Sequence, residues 1–148
     1  DGEGLVVVLV APFPEQVLRA GNLVGTPAVY REGVSVNLDP ANFVMVTGDD
    51  PVQAVYTLKD YIVHTHAKDG KRLHYVSPEI LYGMEESDML NDASFIELPL
   101  GEGDVDFPAY FKALNDIGYQ GFLTIEREVG DDPEGDIRKA ADYIRSLI

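Results

Sequence analysis

An alternating stretch, Tyr61-Ile62-Val63-His64-Thr65-His66-Ala67-Lys68, decides the fold class of this chain. Successive side chains of a β-strand point to opposite faces of a sheet, so His64, His66 and Lys68 share one face. The intervening Val63, Thr65 and Ala67 share the other face. The stretch therefore predicts a strand with imidazole and ammonium groups on one side and small or apolar groups on the other.

Similar strands and several helices are predicted on both sides of this stretch. Val34 to Asp39 and Phe122 to Glu126 each alternate in the same way and each end on a carboxylate. Helices are predicted to begin at Asp50-Pro51, Asp106 and Asp132-Pro133, because Asp suits the N-cap and Pro the first helical turn. Strands that alternate with helices favour an α/β fold with parallel strands, either an open doubly wound sheet or part of a barrel.

Two further segments bear on the architecture. The apolar run from Leu5 to Val10 predicts a buried strand of a parallel sheet. Residues 70 to 94 form a long polar connection with a turn of helix after Pro78, which makes them a candidate active-site loop. Phe95 to Leu98 is predicted to be a short strand or a hairpin arm.

Composition excludes several classes of function. The chain has no cysteine, so thiolate metal sites and cysteine nucleophiles are excluded, and His, Asp and Glu remain as strong ligands. Its 26 acidic and 11 basic residues give a formal net charge of -15, which repels the phosphates of nucleic acid. No apolar run is long enough to span a membrane, and no signal peptide is recognisable. We expect a single cytoplasmic domain with neither nucleic acid nor a membrane as partner.

Three strands end with a potential metal ligand on their polar face: Asp39, His66 and Glu126. Each has an ordinary interpretation when taken alone, as a turn cap, a core histidine and a solvated carboxylate. The carboxyl ends of parallel barrel strands meet at one mouth, however, so the three side chains are expected to converge. Together they form a mixed oxygen and nitrogen set that suits Mn, Mg, Co or Zn.

Four segments, in order, resemble successive signatures of the xylose isomerase-like family of sugar phosphate isomerases and epimerases. They are Val36 to Asn42, Ile62 to Asp69, Pro99 to Phe107 and Leu123 to Glu128. The resemblance covers residues 33 to 148 and implies the C-terminal part of a (β/α)8 TIM barrel, whereas residues 1 to 32 match poorly. A complete barrel takes about 250 residues, so we expect an incomplete parallel barrel of about five strand-helix units in a single partial domain over residues 1–148.

The resemblance also implies roles for individual residues. Asp39, His66 and Glu126 carry over as ligands of a divalent metal, and Glu126 is in addition the candidate general acid or base. Lys68 and Asp69 lie where the family places polar groups near the substrate. Glu102 belongs to the segment that borders the substrate.

A fourth ligand is missing from the matching place. The family ends an earlier strand with a glutamate, and that position falls near Val10 or Ala11, neither of which binds metal. Glu15 is the nearest acid, beyond Pro12 and Pro14. Absence of this carboxylate would permit metal binding but impair proton transfer.

The resemblance implies a divalent-metal-dependent sugar or sugar phosphate isomerase or epimerase, which acts on a small-molecule sugar by proton transfer through an enediolate. A second interpretation is a catalytically impaired or non-catalytic barrel fragment that self-associates, because open barrel edges expose unpaired strand groups. A third is a metal-dependent hydrolase of abasic DNA, which three histidines and the charge of -15 disfavour.

Overall fold

The computed structural model describes residues 35–85 and 93–148. In chain order the elements are β1 (Val36–Leu38), α1 (Pro40–Asn42), a π-helical turn (Phe43–Thr47), α2 (Pro51–Leu58), β2 (Ile62–Ala67), β3 (Asp69–Arg72), α3 (Pro78–Leu81), β4 (Phe95–Leu98), α4 (Phe107–Asp116), β5 (Leu123–Ile125) and α5 (Pro133–Leu147). The strand predicted at Leu5 to Val10, and with it the place of the fourth ligand, lies outside these residues. None of the described helices has the length and apolar character needed to cross a membrane.

A parallel sheet of three strands forms the centre of the fold. β2 lies between β1 and β5, with Leu38 paired to Thr65 and His66 paired to Thr124. Over the two described ranges the sheet does not close into a barrel, because the outer edges of β1 and β5 have no strand beside them. The predicted fold class, an incomplete parallel sheet of strand-helix units, is confirmed.

Short polar side chains set where the helices begin. The side chains of Asp39, Asp50, Ser77, Asp106 and Asp132 each accept a backbone N–H at a helix N-terminus. A proline follows within the first turn of each helix, where its missing N–H costs nothing. β1 ends at Leu38 and not at the predicted Asp39, because Asp39 already serves as the cap of α1. Val34, where the predicted strand begins, lies outside the described residues.

The core lies between the sheet and helices α2 and α4. Phe107 and Tyr110 on α4 are fully buried, and burial of an aromatic side chain stabilises the fold by about 1.5–3 kcal/mol. The Tyr110 hydroxyl also hydrogen-bonds Thr65 Oγ1 at 2.5 Å, and Thr65 donates to the Leu38 carbonyl oxygen at 2.8 Å. This chain of bonds ties α4, β2 and β1 together and fixes the carboxyl ends of the two strands.

The connection after β2 begins with a strand that the sequence pattern does not predict. β3 and β4 form an antiparallel hairpin, in which Asp69 pairs with Leu98 and Arg72 with Phe95. The stretch from Asp69 to Arg72 consists of residues that are uncommon in strands, so no local pattern announces β3. Gly70 is required there, because a Cβ would lie 2.3 Å from the Met45 sulfur and 2.6 Å from the Ile96 carbonyl oxygen.

Candidate metal centre

Three parallel strands deliver their last polar side chains to one point. Asp39 follows β1, His66 is the fifth residue of β2, and Glu126 follows β5. Parallel pairing places the carboxyl ends of the three strands on one side of the sheet. One ligand atom of each residue lies within 4.8 Å of the other two, so these three predicted ligands are brought together.

His66 lies between the two carboxylates. Its Nδ1 atom is 3.4 Å from Asp39 Oδ2 and 2.5 Å from Glu126 Oε2. The two oxygens of Asp39 have different partners. Oδ1 accepts the backbone N–H groups of Ala41 and Asn42 at 2.9 and 3.1 Å, and Oδ2 faces His66. The cap of α1 thus fixes the carboxylate and leaves Oδ2 turned towards His66.

The donor set fits a divalent cation. Two carboxylate oxygens and one imidazole nitrogen, from three separate strands, are the ligand types that Mn, Mg, Co and Zn accept. Asp39 is 7% exposed, whereas the side chains of His66 and Glu126 are 20% and 29% exposed. Asp39 is therefore buried at the inner side of the cluster, whereas His66 and Glu126 are partly accessible to solvent and to a small molecule.

The acidic surroundings act on His66. The hydrogen bond that Asp39 accepts raises the pKa of His66 above its ordinary 6.5; partial burial opposes this, and the charge of Glu126 adds to it. The two carboxylates would stabilise either a positively charged imidazolium or a bound cation at this place. A proton on His66 would therefore compete with a metal at this cluster.

Lys68 is almost completely enclosed by acids. It is 4% exposed, and its Nζ atom lies 3.4 Å from both Glu126 Oε1 and Glu97 Oε2 and in contact with Glu128 Oε2. Burial by itself lowers the pKa of Lys68, but these carboxylates outweigh burial and raise it to about 12. Lys68 therefore carries its positive charge at every pH at which the protein would work, directly beside Glu126.

A cavity of about 310 Å³ opens above the cluster. Its lining includes Lys68 together with the three candidate ligands. The other lining residues were not predicted from the sequence: Asn37, Asn42, Val46, Leu81, Tyr82, Phe95 and Glu128. Leu81, Tyr82 and Phe95 come from the long connection that was expected to be an active-site loop and from the strand after it, and they form an apolar wall beside a polar floor.

Two residues that the resemblance implied to be near the substrate, Asp69 and Glu102, do not line this cavity. Asp69 is 1% exposed, and its two oxygens accept backbone N–H groups of the hairpin and of the segment 101–105. A Cβ at Gly103 would lie 1.9 Å from Asp69 Oδ1, so glycine lets the segment approach this carboxylate. Glu102 is exposed on the same segment.

Comparison with known proteins identifies the family of this chain. Residues 14–147 match the sequence profile of the xylose isomerase-like TIM barrel family. This chain belongs to that family. The resemblance seen in the four sequence segments is thereby confirmed, and the three-stranded parallel sheet is a part of the family's barrel.

Relatives of this family member span a longer chain. Protein YfiH of Bacillus subtilis (strain 168), which is uncharacterized, is 29% identical over 139 residues, which are 91% of this chain and 42% of YfiH. Inosose dehydratase of Mesomycoplasma hyopneumoniae (strain 7448) is 31% identical over 126 residues, 79% of this chain and 39% of that protein. The crystal structure of a xylose isomerase domain protein from Planctomyces limnophilus matches with a TM-score of 0.64 at 30% identity, over 86% of this chain and 43% of that one. The chain thus covers less than half the length of these proteins.

Proposed function

We propose that this chain carries the metal-binding part of a divalent-metal-dependent sugar or sugar phosphate isomerase or epimerase. The observation that carries the proposal is the convergence of Asp39, His66 and Glu126 at the floor of a cavity. Membership of the xylose isomerase-like family supports it, because convergence of hard ligands from different strand ends is how such barrels build their sites.

The cavity suits a monosaccharide. A volume of about 310 Å³ lies at the small end of ligand pockets, which start at about 300 Å³. Tyr82, Phe95 and Leu81 offer an apolar wall for the C–H face of a sugar, while Asn42 and Lys68 offer hydrogen-bond donors for its hydroxyl groups. A phosphate on the sugar would meet Lys68 as the one cationic side chain that is part of the described lining.

The proposed reaction is a proton shift beside a carbonyl group. A bound divalent cation supplies Lewis-acid polarisation of the substrate carbonyl. Glu126 would take the proton from the adjacent carbon onto its carboxylate, and its partly exposed position in the cavity lining supports this role. Lys68, which is ammonium throughout the working pH range, lies 3.4 Å from Glu126 Oε1 and would stabilise negative charge that develops on a substrate oxygen nearby.

A dehydratase is the second candidate, and one observation favours it. Inosose dehydratase is 31% identical to this chain over 126 residues. Elimination of water beside a ketone begins with removal of the same kind of proton, so the roles of Glu126 and Lys68 would be unchanged. The two candidates differ in the second proton transfer, since a dehydratase must also protonate a leaving hydroxyl group.

The lining is unfavourable for a hydrolase of abasic DNA. Asp39, Glu126 and Glu128 line the cavity, and Lys68 is the one Lys or Arg among its described lining residues. Such a lining repels the phosphate backbone. The alternative of a non-catalytic barrel fragment that self-associates remains a separate proposal, which gel filtration of the chain addresses.

Solvent exchange tests the proposed proton transfer. The chain is incubated with Mn²⁺ and a panel of ketohexoses and inososes in D2O, and deuterium at the carbon beside the carbonyl is followed by NMR. We expect incorporation that requires Mn²⁺ and that is lost in Glu126→Gln but retained in Glu134→Gln, an exposed control on α5. Incorporation that is equal in the two variants would contradict the role of Glu126, and a protein that binds Mn²⁺ but exchanges no ketose would support the non-catalytic alternative.

A further inference from the structure

Asn37 lies next to His66 of the candidate metal centre. It belongs to β1, two residues before Asp39, and it lines the cavity. Its Nδ2 atom lies 3.0 Å from Nε2 of His66. Its other polar atom, Oδ1, is the one buried side-chain nitrogen or oxygen atom among the described residues that lacks a hydrogen-bond partner. A buried amide oxygen without a partner is costly, and such atoms call for a specific explanation.

The two nitrogens of His66 have different surroundings. Nδ1 faces Asp39 Oδ2 and Glu126 Oε2, so Nδ1 is the atom that would join these carboxylates in binding a cation. A neutral imidazole has one nitrogen with a lone pair and one with a proton. Binding through Nδ1 therefore requires the proton on Nε2, and Nε2 then needs an acceptor rather than the Asn37 amino group.

The amide oxygen of Asn37, on the same side chain, can supply that acceptor. Rotation of the amide by 180° about its Cβ–Cγ bond exchanges Oδ1 and Nδ2, which places the oxygen against Nε2–H with no movement of the backbone. We infer that Asn37 is a positioning residue for the proposed metal centre, whose amide oxygen accepts Nε2–H and thereby presents the Nδ1 lone pair to a divalent cation. This inference rests on the proposed function, since it needs the cluster to bind metal.

Each amide orientation corresponds to one form of His66. With Nδ2 against Nε2, the ring carries its proton on Nδ1, where it bonds to the two carboxylates in place of a cation. With Oδ1 against Nε2, the ring offers Nδ1 to the cation. Partners of a ligand histidine that fix its tautomer in this way typically alter metal affinity 10–100-fold, roughly, when they are removed.

Zinc binding by three variants of the chain tests this inference. Asn37→Leu has a similar shape but no acceptor, Asn37→Asp keeps an acceptor and has no donor, and Asn115→Leu makes the same chemical change on the exposed side of α4. Calorimetry with Zn²⁺ alone is expected to show affinity about 10–100-fold weaker in Asn37→Leu, unchanged in Asn115→Leu, and at least as tight as the parent in Asn37→Asp.

A spectroscopic readout separates positioning from a general loss of structure. In the zinc-loaded parent, ¹⁵N NMR of the His66 ring should show the proton on Nε2, with slow exchange against water. This Nε2–H signal should persist in Asn37→Asp and exchange rapidly in Asn37→Leu. If Asn37→Leu fails to fold, as judged by circular dichroism, Asn37→Asp still decides, because weaker zinc binding or loss of its Nε2–H signal would overturn the inference.

The remaining outcomes are distinct from one another. Parent protein that binds no Zn²⁺ would overturn the proposed metal centre and this inference together. Zinc binding that is lost on Glu126→Gln but is equal in Asn37→Leu and the parent would overturn only the role of Asn37. Metal coordination through Nε2 instead of Nδ1 would do the same.

Discussion

Two groups of charged side chains lie on opposite sides of the end of β5, and they differ in how their charges are matched. Glu126 points into the cavity, where its neighbours are His66, Lys68 and further acids. The next residue, Arg127, points the other way, where its guanidinium meets Glu97 Oε1 and Asp136 Oδ2, each at 2.9 Å. The adjacent residues Glu126 and Arg127 thus lie in two different environments, one in the cavity and one among buried ion pairs.

The difference lies in accessibility and in the excess of acid. The side chains of Arg127, Glu97 and Asp136 are 6–12% exposed, and the guanidinium is paired with both carboxylates. Glu97 also reaches Lys68, at 3.4 Å, and so links this group to the cavity. The carboxylates around His66 include a 29% exposed Glu126 and share one imidazole, so the site gathers more acid than it neutralises. We propose that the first group holds the strand ends in place and that the second takes up a cation.

Removal of one buried partner should show the structural role of the first group. Glu97→Ala leaves Arg127 and Lys68 without a shared carboxylate, and breaking a buried ion pair costs about 3–5 kcal/mol. Urea denaturation should show this loss in the free energy of unfolding. The matched control is Glu134→Ala, whose surface pair with Arg138 should contribute less than about 1 kcal/mol. A cost for Glu97→Ala that is no larger than that of the control would refute the network as a stabilising element.

Asp69 should separate stability from metal binding. The change Asp69→Asn puts an amino group where an oxygen accepts two or more backbone N–H groups, and each unsatisfied buried donor costs about 1–3 kcal/mol. We expect a loss of about 2 kcal/mol in the free energy of unfolding, while the affinity for Mn²⁺ of the folded protein changes by less than about twofold, since Asp69 lies outside the cavity. A large loss of metal affinity in the folded variant would show that Asp69 contributes to the metal site after all.

The pH dependence of metal binding sharpens the role of His66. Its pKa in the folded protein is raised above 6.5, chiefly by Asp39, so the stabilisation from the imidazolium is complete below 6.5 and is lost as the pH rises through the raised pKa. The affinity for metal depends on pH in the opposite direction and increases as the pH rises, because Nδ1 must first lose its proton. Affinity for Mn²⁺ should rise by up to about tenfold per pH unit from pH 6 until His66 is deprotonated. Affinity that is flat over this range would show that His66 is not a ligand.

Period-two alternation predicted the strands and the three candidate ligands, and the alternation of strands with helices predicted the parallel pairing. Asp39, His66 and Glu126 could be found because each closes a strand with polar side chains on alternate positions, and parallel strand ends meet. The hairpin and the role of Asp69 could not be found in this way. Asp69 is anchored by N–H groups more than thirty residues further along the chain, and nothing in the local pattern announces such contacts. Tyr82 and Phe95 were likewise visible only as parts of a long connection and its flanking strand.

The central claim is that Asp39, His66 and Glu126 form one metal site, and calorimetry with Mn²⁺ and Co²⁺ tests it most directly. Asp39→Asn retains an oxygen for the cap of α1, and His66→Gln and Glu126→Gln are similarly conservative in shape. We predict that each lowers metal affinity by more than about 100-fold, since even outer partners of a ligand are worth about 10–100-fold. Glu128→Gln, an acid of the same cavity outside the cluster, should lower affinity by less than about fivefold. A folded parent chain that binds neither metal, or equal small losses in all four variants, would contradict the account.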